Sequence, residues 1–111
     1  NEQKVDRMID HLTKSPERAN IRHGINEYCR RRNLPQDHAW AALSTIILDR
    51  FGVDLPRRVD NKRKAIQVAR LQLGKRAYAD STLKSKYTMV DAIFDAELQQ
   101  EVLRILAGMI R

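Results

Sequence analysis

His11, His23, Cys29 and His38 are the only imidazole and thiol groups in this sequence of 111 residues. A metal shared between His23 and Cys29 would need them to converge, yet a separation of six residues on a helix turns them to divergent faces. Cys29 as a nucleophile would need an activating base or a cationic pocket, and a lone cysteine in a small domain is expected in the core instead. His38 is expected in solvent. The chain has no glycine-rich phosphate loop, no paired-cysteine zinc motif and no histidine–glutamate–histidine helix signature. These absences argue against an enzyme, and no metal or cofactor is expected.

The residues that remain able to do chemistry are cations. Between Arg57 and Lys86 lie ten basic residues and two acids, Asp60 and Asp80, a local surplus of eight. From Tyr87 to Arg111 the balance reverses, with Arg104 and Arg111 against Asp91, Asp95, Glu97 and Glu101. The whole chain carries +7 with a pI near 10.0, so the positive field is concentrated in one segment. A field of that sign attracts phosphates or acidic protein surfaces. The candidate phosphate-binding set is Arg57, Arg58, Lys62, Arg63, Lys64, Gln67, Arg70, Lys75 and Arg76, with Asn61 also long enough to reach a base edge. The bland alternative is a solvated basic helix face. Only Tyr78 and Tyr87 could stack on bases nearby, which favours duplex over single strands.

Helical spacing of apolar residues runs through the elements that must carry these cations. Val5, Met8, Ile9 and Leu12 predict a first short helix ending near Lys14. Ser15 as cap and Pro16 at the first position predict a second, reaching Arg32, with Ile21, Ile25, Tyr28 and Cys29 as its apolar stripe. Arg30, Arg31 and Arg32 sit at its negative pole, and Asn33 and Pro35 stop it. Ala39, Trp40, Leu43, Ile46, Ile47 and Phe51 mark a third helix over 36–51, ended by Gly52. Val53 to Val59 then reads as a loop holding Arg57 and Arg58, and Asp60 as the cap of a helix over 61–73. In that reading Lys62, Arg63 and Lys64 crowd the first turn, against the dipole preference, as an anion site would require. Its buried stripe would be Ala65, Ile66, Ala69 and Leu73. Residues 75–86 are polar, with one turn around Ser81 to Lys84. Thr88 and Asp91 form a capping box before a long final helix to about Ile110, striped by Val90, Ile93, Phe94, Leu98, Val102, Ile105, Leu106 and Met109.

The expected fold is therefore all-α, a compact bundle of about five helices in a single domain over 1–111, with the third and fourth helices as a helix–turn–helix-like pair. A hydrophobic content of 42% and a charged content of 32%, with few Gly and Pro, fit a folded domain rather than a disordered tail. No stretch nears the roughly 20 apolar residues of a membrane span, and Asn1 to Leu12 has no signal-peptide core. The lone cysteine suits a reducing compartment. A soluble, cytoplasmic protein is expected, and a start at Asn1 rather than Met is expected of a domain cut from a longer protein.

Trp40 and Leu43, the run Asp49-Arg50-Phe51-Gly52-Val53 and Lys64-Ala65-Ile66 resemble the small C-terminal domain of phage antirepressor proteins, the type found behind Bro-N or KilA-N modules. The resemblance covers roughly Ile21 to Gly74. The aromatic residue that the family's pattern places shortly after the Gly-Val step is replaced by Asp54-Leu55-Pro56-Arg57-Arg58. Family membership would imply a phage or prophage regulatory protein acting in DNA binding or assembly inside the host cell, associated with the nucleoid, and assigns no catalytic residue. The leading expectation is a DNA-binding regulatory domain, with double-stranded DNA as partner. The alternative is a protein-interaction module, docking on an acidic protein partner or forming a homodimer through the C-terminal helix.

Overall fold

Every apolar run in this chain has helical spacing, and the computed structural model follows it. The structure describes the backbone from Glu2 onward and side chains from Glu17 onward. Among the described residues there are six helices and no strand: α1 (Glu2–Arg32), α2 (Gln36–Phe51), α3 (Leu55–Gln72), α4 (Asp80–Lys86), α5 (Met89–Asp95) and α6 (Gln99–Ile110). The all-α class is thus the observed one. No helix among them is long and apolar enough to cross a membrane. The expected stripe Val5, Met8, Ile9 and Leu12, and His11 with it, lies outside the described side chains.

The expected restart at Ser15–Pro16 does not occur, and α1 runs through it as one helix. A proline's locked φ is itself helical, so the backbone continues at the loss of the hydrogen bond that the missing N–H would make.

The chain divides into two units, Asn1–Leu43 with Gln99–Arg111, and Ser44–Leu98. In the first, α1 packs on α6. Their contacts advance together along both helices: Gln100 donates to Glu17 (3.1 Å), Gly24 meets Leu106, and Arg31 donates to the Ile110 carbonyl (3.2 Å). The two helices are therefore parallel, and their negative poles lie at the same end. The basic run that closes α1 neutralises both poles. Arg31 and Arg32 donate to the Ile110 and Met109 carbonyls, which no helical N–H reaches. Ile21 and Ile25 of α1 and Val102, Ile105 and Leu106 of α6 are buried, so the α6 part of the final apolar stripe is largely covered. Gly24 is what allows the approach: a Cβ there would stand 2.9 Å from Leu106 Cδ1 and 3.3 Å from its Cβ. Asn33, at φ +54, ends α1, and the Leu34 N–H closes back on the Cys29 carbonyl (3.0 Å).

In the second unit α3 packs on α5 and α4. Leu55, Val59, Tyr87, Val90, Ala92 and Ile93 are buried. The Thr88–Asp91 capping box forms as expected, with the Thr88 N–H donating to the Asp91 carboxylate (2.9 Å) and the Asp91 N–H to Thr88 Oγ1 (3.4 Å). The single long helix expected after it is broken into α5 and α6. Glu97 adopts φ +58, its N–H bonds the Phe94 carbonyl and that of Leu98 bonds Ile93, a Schellman closure made without glycine.

Two substitutions test these close contacts. Gly24→Leu is expected to lower the thermal midpoint, because Leu106 holds the space, whereas Gly108→Ala, with nothing within 4 Å, should gain up to about 1 kcal/mol of helix propensity. Glu97→Gly relieves a left-handed conformation and should stabilise by about 1 kcal/mol in urea denaturation; an unchanged midpoint would mean that no strain is held there.

Candidate nucleic-acid interface

The cations of the 57–76 segment are sorted by the way α3 begins. The expected loop over 53–59 is not observed. The α2–α3 connection is only Gly52-Val53-Asp54, with the Gly52 N–H, at φ +68, donating to the Leu48 carbonyl (3.0 Å) and Asp54 capping α3 through the Arg57 N–H (3.2 Å). Pro56 belongs to the first turn of the helix, where its missing N–H costs nothing. The cap is thus Asp54, not Asp60. Arg57 and Arg58 ride on the helix, and Lys62, Arg63 and Lys64 lie beyond its first turn. Of the five cations expected around a helix entrance, only Arg57 and Arg58 stand there. The α2–turn–α3 segment has the short connection of a helix–turn–helix, while the packing partners of α3 are α4 and α5.

Helical periodicity then divides α3 into three faces. Leu55 and Val59 face the core, with Ile66 half-buried behind them. Arg63, Gln67 and Arg70, four and three residues apart, form a polar ladder beside that core. Arg63 donates to the carbonyls of Tyr87 (2.9 Å) and Lys84 (3.2 Å). Gln67 makes a two-point bond with the Tyr78 backbone, donating to its carbonyl (2.9 Å) and accepting its N–H (2.8 Å). Arg70 donates to the Arg76 carbonyl (2.5 Å) and lies with its guanidinium 3.9 Å from the centre of the Tyr78 ring, which Lys86 also approaches at 5.2 Å. Three residues placed among the phosphate ligands by sequence reasoning therefore hold residues 75–87 against α3.

The third face points to solvent. Arg57, Asn61, Lys64, Val68 and Leu71 follow one another at intervals of four and three residues, and all are exposed. Lys64 reaches Asp60 at 3.0 Å, a surface pair between well-exposed side chains and worth little. Beside this stripe Arg58, Asn61 and Lys62 line a shallow cavity of about 340 Å³ with Tyr87 and Asp95. Lys75 and Arg76 are exposed on the connection after α3. The expected burial of Ala65, Ala69 and Leu73 is not found: all three are exposed, Leu73 by 73%.

Tyr87 anchors the far wall. Its hydroxyl donates to Asp95, and burial, then that hydrogen bond, push its pKa up to about 12. In the first unit Glu27, held by Arg30 and Arg31, has its carboxyl lowered to about 2 and stays ionised. His23 and His38 are exposed, Cys29 is half-buried, and among the described residues no three His, Cys, Asp or Glu side chains gather as a metal site.

Compared with known proteins, the chain matches no protein-family model, no curated protein and no solved structure.

Gln67→Ala should cost about 1–3 kcal/mol, leaving a part-buried backbone amide and carbonyl at Tyr78 without partners, and should speed hydrogen exchange of the Tyr78 amide. Lys64→Ala, on the outer stripe, should change stability by less than about 0.5 kcal/mol. Tyr87 is favoured as the neutral phenol in the folded chain, so the stability it contributes is complete below pH 10.0 and is lost as pH rises from there to about 12. Tyr87→Phe should flatten that alkaline loss relative to wild type; an unchanged pH profile would show that the hydroxyl is not held.

Proposed function

We propose that this chain binds the phosphate backbone of duplex DNA, as a regulatory domain, through the outer face of α3. Arg57, Arg58, Lys62 and Lys64 bind the phosphates, with Asn61 placed among them and Lys75 and Arg76 extending the surface. The observation that carries this reading is the division of α3 into faces. The cations of its first half lie on exposed positions after a three-residue turn, while those of the polar ladder are bound to backbone carbonyls. Phosphate contacts fix register, and a side chain such as Asn61 in the middle of such a row is of the type that pairs with adenine in the major groove. The resemblance to antirepressor C-terminal domains, whose family acts in DNA binding or assembly, points the same way.

Binding of a labelled random duplex, followed by fluorescence anisotropy across a salt series, tests the assignment. Wild type should lose affinity linearly in log salt. Replacing Arg57 and Arg58 together with Ala should reduce the slope by about 2, near 0.9 for each phosphate left without its cation, and should not lower the thermal midpoint. No duplex binding at low salt, or an unchanged slope in the double variant, would remove this face from the function.

A further inference from the structure

The second half of the outer stripe has a different chemistry from the first. After Lys64 it continues with Val68 and Leu71, exposed by 53% and 59%, where phosphate binding would call for further polar side chains. Val68 also forms, with Leu83 of α4, the apolar floor of a groove of about 440 Å³ between α3 and α4. Lys64, Arg63 and Lys84 stand on its walls. Asp60 and Asp80 stand there too, and Asp60 is engaged with Lys64 at 3.0 Å.

We infer that this groove, with the Val68–Leu71 strip beside it, docks a net-acidic amphipathic helix of a partner protein. Charge and apolarity together select that occupant. A second copy of the chain would bring its own 57–86 segment, with ten basic residues against two acids, onto an identical one; like charges at that density repel. Nucleic acid meets the charge, but covers Val68, Leu71 and Leu83 with nothing apolar. An acidic helix with apolar residues three and four positions apart supplies both, laying its apolar side over the floor and its carboxylates toward Lys64 and Lys84. The groove shares Lys64 with the DNA face, but its apolar residues Val68 and Leu83 and the adjoining Leu71 lie outside that face, so substitutions at Val68 and Leu71 separate the two surfaces.

The test uses the full chain and a fluorescent model helix of about 15 residues, the length at which helices begin to form in isolation. It is built of Glu with Leu at helical spacing, and its control has every Leu replaced by Ser. Wild type should bind the Leu peptide and bind the control at least about tenfold more weakly. Val68→Ser combined with Leu71→Ser, both on exposed positions, should also weaken the Leu peptide by about tenfold, while the Arg57, Arg58 double variant binds it normally. Equal binding of the two peptides, or no effect of the Val68, Leu71 substitutions, overturns the proposal. Loss of duplex binding in the Val68, Leu71 variant would assign the groove to nucleic acid. Concentration-dependent dimerisation of wild type that this variant abolishes would assign it to a second copy. Failure of the chain to bind duplex DNA leaves the peptide result intact, because that experiment reads the other half of α3.

Discussion

The polar ladder of Arg63, Gln67 and Arg70 is the constraint on which the second unit rests. Residues 75–79 belong to no helix, carry little apolar surface and would have no reason to lie beside α3 unless their backbone groups were bound there. Gln67 answers both polar groups of one residue, Tyr78, and Arg70 answers the carbonyl of Arg76 while stacking on the Tyr78 ring. Arg63 reaches further, to the carbonyls that end α4 and precede α5. A surface arginine adds little to stability. An arginine or glutamine that satisfies backbone groups of a segment with no ladder of its own is part of the fold.

The same constraint decides what α3 presents. Its inner face is taken by the core and one flank by the ladder, so whatever binds this helix meets Arg57, Asn61, Lys64, Val68 and Leu71, with Arg58 and Lys62 exposed beside them. The stripe changes from cationic to apolar halfway along, and the two halves fit different kinds of ligand. In the other unit a basic cluster is also consumed internally: Arg31 and Arg32 close the carbonyl end of α6, while Arg30 and Arg31 both hold Glu27. Net charge in this chain is therefore a poor guide to where a partner would sit, and whether a cation is already bound to a carbonyl is a better one.

Much of the helical content is legible in the sequence, because apolar residues at intervals of three and four leave few alternatives. The helix over 36–51 and the Thr88–Asp91 box stand where the sequence puts them. Sequence reasoning misplaces the start of α3 for a definite reason: Pro56 reads as a loop residue, although a proline is equally at home in the first turn, and Asp54 two positions earlier holds the cap. The break at Ala96-Glu97-Leu98 has no glycine or proline and gives no local signal. As for the site, exposed Arg57, Arg58, Lys62 and Lys64 are legible as cations, but Gln67 and Arg70 read as outward-facing because their backbone partners, some six to eleven residues ahead, follow no motif. Gly24 gives no sign of its role, since a helical glycine signals a close approach only once the opposing Leu106 is known.

The most direct test of this division of α3 is a nitrogen-edited NMR titration of the chain with a random duplex, watching the arginine side-chain Nε–H signals. Arg57 and Arg58 are expected to shift and broaden, while Arg63 and Arg70 stay in place and the Tyr78 amide keeps its protection from exchange. Shifts at Arg63 and Arg70 with loss of protection at Tyr78 would show that the ladder opens to take phosphate, and would contradict the division.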